Sequence, residues 1–150
     1  MAGDAPFGTL WTCPRCGRAF AARNQTHTCR PLGTLDEHFA DKPPEVRAIF
    51  DAVVAAAERS GPVTVLPERT RIALQARMSF AALVPRRAWV DGHVVLARRL
   101  ESPRFRRIET FSPRNHLHAF RFASVVEVDD EVARWLAEAY AVGMHRHVRR

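Results

Sequence analysis

All three cysteines of this 150-residue chain fall within one short stretch, WTCPRCGRAFAARNQTHTC, from Trp11 to Cys29. An odd, clustered set of thiols is a poor disulfide framework, so the stretch points to a metal. Cys13-x2-Cys16 brings two thiolates onto one ion, and Gly17 lets the chain turn sharply after the second. His27-x-Cys29 then offers an imidazole and a third thiolate. That spacing is tighter than usual, but ligands two apart on an extended segment face the same side. Cys13, Cys16, His27 and Cys29 together match tetrahedral Zn2+, and a filled shell means a structural site rather than a catalytic one. Pro14 and Phe20 suit the turn and miniature core of a module that metal binding of roughly 10–16 kcal/mol would hold folded. Three alternatives stay open: incidental cysteines, three protein ligands with water or a partner in the fourth place, or a redox Cys-x-x-Cys. The redox reading lacks a surrounding βαβ pattern.

The periodicity changes after this preface. Residues 1–31 are read as the zinc module, 34–145 as an α+β domain and 146–150 as a basic tail. Thr34 and Glu37 have capping-box spacing, so a helical turn starts at Leu35. After DKPP, the apolar residues Val46, Ile49, Phe50, Val53 and Ala57 recur at helical intervals until Ser60-Gly61-Pro62. From Val63 the period becomes two. VTVL and TRIALQARMSF read as a hairpin joined by Pro67-Glu68-Arg69, with Ile72, Leu74, Ala76, Met78 and Phe80 on one face of the second strand. Asp91-Gly92 between apolar runs reads as a type I′ hairpin turn, and SPRN joins FRRIETF to HLHAFRF. Asp129 caps a last helix with Val132, Trp135, Leu136, Ala139 and Tyr140 as its apolar stripe. The expected fold is α+β, an antiparallel meandering sheet with helices packed on one face and the small zinc-binding module before it.

The segments LWTCPRCGRAFAARNQTHTC, DEHFADKPPEVRAIFDAV, GPVTVLPERTRIALQARMSFAALVPRRAWV and RRIETFSPRNHLHAFRF, in that order from Leu10 to about Val142, resemble the bacterial family called domain of unknown function 5655. The resemblance implies the α+β domain, often with this Cys/His preface. Related domains are appended to nuclease-like proteins, which implies a nucleic-acid context. It implies no catalytic residue.

The formal net charge is +7, and arrays of positive charge attract phosphate backbones. Lys42 is the single lysine; arginine carries the rest, as a GC-rich coding bias would also produce. The candidate anion or nucleic-acid surface is Arg71, Arg77, Arg86, Arg87, Arg98, Arg99, Arg104, Arg106, Arg107 and Arg114, with Trp89 and Phe105 as stacking platforms. Arg15, Arg18, Arg23 and Arg30 decorate the zinc module. An acid/base pair is a remoter candidate: a four-residue SPRN turn would set Glu109 opposite His118, with His116 beside it, as a base or a second metal site. No nucleophile or glycine-rich loop accompanies them, so catalysis is not expected. The apolar runs are too short to cross a bilayer, and the N-terminus lacks a signal peptide's basic and apolar regions, which favours the cytoplasm. A binding protein for nucleic acid or another anionic partner is the leading reading. A protein-interaction module with incidental charge comes second, and a hydrolase- or nuclease-associated enzyme third.

Overall fold

The computed structural model describes residues 10–20, 29 and 32–145. His27, Arg23, Arg30 and the basic tail lie outside the described residues.

A two-stranded ribbon comes first, β1 (Trp11–Thr12) antiparallel to β2 (Ala19–Phe20). The capping box predicted at Thr34 is present: the Thr34 hydroxyl accepts from Glu37 N, and the Glu37 carboxylate accepts from Thr34 N, opening α1 (Leu35–Phe39). Pro44 sits at the start of α2 (Pro44–Glu58), where a missing N–H costs nothing. The predicted stripe Val46, Ile49, Phe50, Val53 and Ala57 is buried. Asp129 caps α3 (Asp130–Gly143) through Val132 N at 3.2 Å, and its predicted stripe is buried as well.

Between the long helices run β3 (Thr64–Pro67), β4 (Ile72–Gln75), β5 (Ser79–Pro85), β6 (Val90–Leu96), β7 (Arg107–Ser112) and β8 (Asn115–Phe122). They form one six-stranded antiparallel sheet in the order β3-β4-β5-β6-β8-β7. Both long helices pack on one face, which supplies Ile72, Leu74, Phe80, Leu83, Val94, Phe120 and Phe122 to a core shared with Trp135 and Leu136.

Three local expectations are corrected. TRIALQARMSF is two strands, not one. The chain turns at Ala76–Met78, and the Arg77 and Met78 N–H groups both donate to Gly143 O at the end of α3. Alternation cannot reveal such a turn, because its hydrogen-bond partner lies far along the chain. Asp91-Gly92 is not a turn either. Both residues lie inside β6, paired with β5 and β8, and the turn falls at Arg86–Trp89. Glycine is needed there for space: a Cβ on Gly92 would stand 2.8 Å from Ala82 O and 2.9 Å from Phe120 Cε1. Finally, the sheet departs from a pure meander, since β8 rather than β7 lies beside β6. The ladder follows apolar content. β8 buries His116, His118, Phe120 and Phe122, whereas the polar β7 takes the edge, as edge strands do.

Candidate functional site

The ribbon of β1 and β2 shapes the thiol cluster. Cys13 N donates to Arg18 O and Gly17 N to Cys13 O, both at 2.8 Å, and Gly17 adopts φ +77°, the left-handed conformation glycine tolerates. The sulfurs of Cys13, Cys16 and Cys29 all lie within 4.8 Å of one another. Cys13 and Cys29 are 3.6 Å apart, close to the ~3.8 Å edge of a tetrahedron with metal–sulfur bonds of about 2.3 Å. Burial alone would raise the Cys13 thiol, but the N–H groups of Arg15 and Cys16 hold it below its ordinary value. Its contact with Cys13, then burial, pushes the Cys29 thiol up. Three converging sulfurs fit a metal ion, and the lowered Cys13 thiol eases the proton loss that binding a cation requires.

This module does not stand free. Arg18 pairs with Glu68 at 2.6 Å, both side chains largely buried, and Gln75 Nε2 donates to Ala19 O at 2.6 Å. Gln75 alternates outward from the core residue Leu74, so the module rests on the sheet face opposite the helices, at the β3–β4 end. His38 adds a contact to Glu68 O at 2.6 Å.

The candidate arginines are dispersed. Arg98 makes a bidentate pair with Glu138 of α3 (3.0 and 2.8 Å), and Arg104 clamps the start of α3 through Asp129, Glu131 and Glu127 O. Both turn toward the helical layer. Arg99 pairs with Glu101, Arg71 with Glu68, Arg86 with Asp91 and Arg107 with Glu109. Arg77 is buried in the β4–β5 turn, while Arg87, Arg106 and Arg114 are exposed. Phe105 is not a surface platform: it packs on Trp135 at 4.3 Å and on His118 at 4.8 Å. Trp89 stays on the open side, half-buried, with the Arg121 guanidinium 4.3 Å from its ring centre. Arg121, overlooked in the sequence, and Arg86 share the Asp91 carboxylate at 2.7 and 3.2 Å. Burial opposes that carboxylate's charge, but Arg121, Trp89 and Arg86 hold it below its ordinary range. The alternation around Asp91 was the signal that could have found this group, had the dipeptide not been read as a turn.

Glu109 and His118 do not meet. Pro113-Arg114 is a two-residue turn, and a bulge between Thr110 and Ser112 sets Glu109 opposite Leu117 and Ile108 opposite His118. His118 is fully buried. Its Nε2 accepts from Leu100 N at 2.9 Å, so Nδ1 carries the proton, donated to His116 O. His116 is tied to Thr110 Oγ1 and Pro113 O. Both imidazoles brace loops. Among the described residues the cysteines are the single group of three or more potential ligands.

Burial pushes the His118 imidazole down, and burial with Arg71 and Arg107 nearby pushes His93, on the open face of β6, to about 4. Both are neutral in the fold but protonate near pH 6.5 when unfolded. The unfolded state therefore binds more protons below that pH, and stability falls as pH drops from about 6.5 towards 4. His93 alone accounts for about 3 kcal/mol of that loss. Urea melts of wild type and His93→Gln at pH 7.5 and pH 4.5 check it: the variant should lose visibly less, and equal losses would refute the assignment.

No helix among the described residues is long and apolar enough to cross a membrane. A family model described as Domain of unknown function (DUF5655) matches residues 35–143. No curated protein and no solved structure matches the chain.

Proposed function

The chain belongs to the Domain of unknown function (DUF5655) family, whose domain it carries over residues 35–143, and on that footing we propose that it is a zinc-stapled binding protein for nucleic acid or a similar polyanion. The observation that carries this reading is the sheet face the helices leave open. There two guanidiniums, Arg121 and Arg86, share one carboxylate beside Trp89, leaving net positive charge next to an aromatic plane. Arg87 and Arg106 add exposed charge in the adjoining turns, Arg87 near enough to Asp41 to favour its carboxylate. Arginine's planar fork over an indole suits phosphate and base together. In this reading the metal is Zn2+, held by Cys13, Cys16 and Cys29 with His27 as the fourth ligand. Its part is structural: it keeps the module seated over β3 and β4.

Labelled single- and double-stranded oligonucleotides titrated across a salt series test the proposal. Saturable binding should weaken with a log–log slope of about −0.7 per phosphate neutralised on a single strand. Arg106→Ala and Arg87→Ala should each make that slope shallower by roughly 0.7. No binding near physiological salt would sink the reading. A docking role for protein partners has one observation in its favour, the exposure of Val125 and Val126 (43% and 81%) on a 3₁₀ turn after β8.

A further inference from the structure

The edge strand β7 carries one feature that neither ion pairing nor core packing explains. Phe111 is 65% exposed in β7, the most open of the described large hydrophobic side chains apart from Val126. The register shows why. Thr110 pairs with His116 and Ser112 with Asn115, so two steps along β7 match one step along β8, and Phe111 is the extra residue of a bulge. A bulge leaves its residue out of the ladder and re-aims the side chain. Ile108 and Thr110 lie opposite the buried His118 and His116, which sends Arg107 and Glu109 outward by alternation; beyond the bulge Ser112, opposite Asn115, joins that outward face, and the exposed Phe111 stands between them.

We propose that Phe111 is a base-stacking residue, and that the polyanion of the preceding section is a single-stranded nucleic acid running along the outer face of β8 and β7. The inference rests on that reading and narrows it. Charge complementarity supports this occupant: Arg106 precedes β7 and Arg107 begins it, Arg114 sits in the turn just past Phe111, and Arg121 lies outward on β8. At about 3.3 Å per residue, Trp89 at one end of these strands and Phe111 at the other stand roughly 20 Å apart. Trp89 already has Arg121 against its ring, whereas Phe111 offers an open π-face. A duplex keeps its bases stacked on one another, so an exposed ring can serve only an unpaired strand.

The test uses the full chain, a fluorescein-labelled single-stranded oligonucleotide of mixed sequence and its duplex, across a salt series. Phe111→Ala should weaken single-strand binding about tenfold or more. The slope against log salt should stay unchanged, because stacking releases no counterions. Phe111→Trp should bind at least as tightly as wild type, and Phe111→Leu should behave like the alanine variant. The duplex should not respond to any of the three. If salt-sensitive binding persists but ignores Phe111, the inference fails and the broader function stands. If wild type binds neither oligonucleotide, both fall. If Phe111→Ala instead abolishes self-association in sedimentation while leaving oligonucleotide affinity alone, the bulge serves strand pairing with a protein and the inference is overturned.

Discussion

Stripping the metal with a chelator, or replacing Cys16 with serine, should lower the thermal midpoint by on the order of ten degrees or more. The β1–β2 ribbon has two residues in each strand, too few to stand without a crosslink. Once it opens, the Arg18–Glu68 pair and the Gln75 contact to Ala19 lose their geometry. The outer side of β3 and β4 then meets water, including Leu66 and Ala73, which the folded chain buries. The helical side should survive, because its core is drawn from α2, α3 and the sheet. Hydrogen exchange should therefore speed up first at Thr64–Gln75 and last at Val90–Leu96. Metal content by mass spectrometry, read beside the melts, ties the two together. A metal-bearing protein whose melting and exchange ignore the chelator would refute the staple.

The second large effect is expected at Gly92. A Cβ there would lie 2.7 Å from Leu83 Cδ2, 2.8 Å from Ala82 O and 2.9 Å from Phe120 Cε1. One of those atoms is backbone in the neighbouring strand and one belongs to a buried ring, so neither can swing aside. Gly92→Ala should cost about 3 kcal/mol by forcing β5, β6 and β8 apart. A urea midpoint indistinguishable from wild type would show that the sheet accommodates the methyl group after all.

Gly92 also shows what the sequence could and could not convey. The helices were legible because their signals are local: apolar spacing, a proline at the first turn, a capping box at Thr34, an aspartate cap at 129. The turn at Ala76–Met78 was not, because its N–H groups are met by Gly143 at the other end of the chain. Asp-Gly is a strong turn signal wherever the backbone needs positive φ. Here the glycine answers a demand for space between three strands, and one dipeptide cannot distinguish the two demands. The thiol cluster was legible from spacing alone, with His27 outside the described residues. The supposed Glu109–His118 pair failed by one bulge, since a single extra residue exchanges the faces of everything beyond it. The arginines were the least legible feature. A run such as Arg98-Arg99 looks like an uncompensated patch until Glu138 and Glu101 are seen beside it.

The seating of the thiol module has a consequence for how the chain is made. Its two anchoring contacts span 50 and 56 residues, from Arg18 to Glu68 and from Ala19 to Gln75. At roughly 5–20 residues per second, a ribosome needs several seconds to deliver the strand on which the module will rest. A metal ion taken up by the ribbon during that interval would be held without the support of the sheet. Cells short of the metal would then release chains whose first strands lack their cover, and the shortage would be felt during synthesis rather than after it.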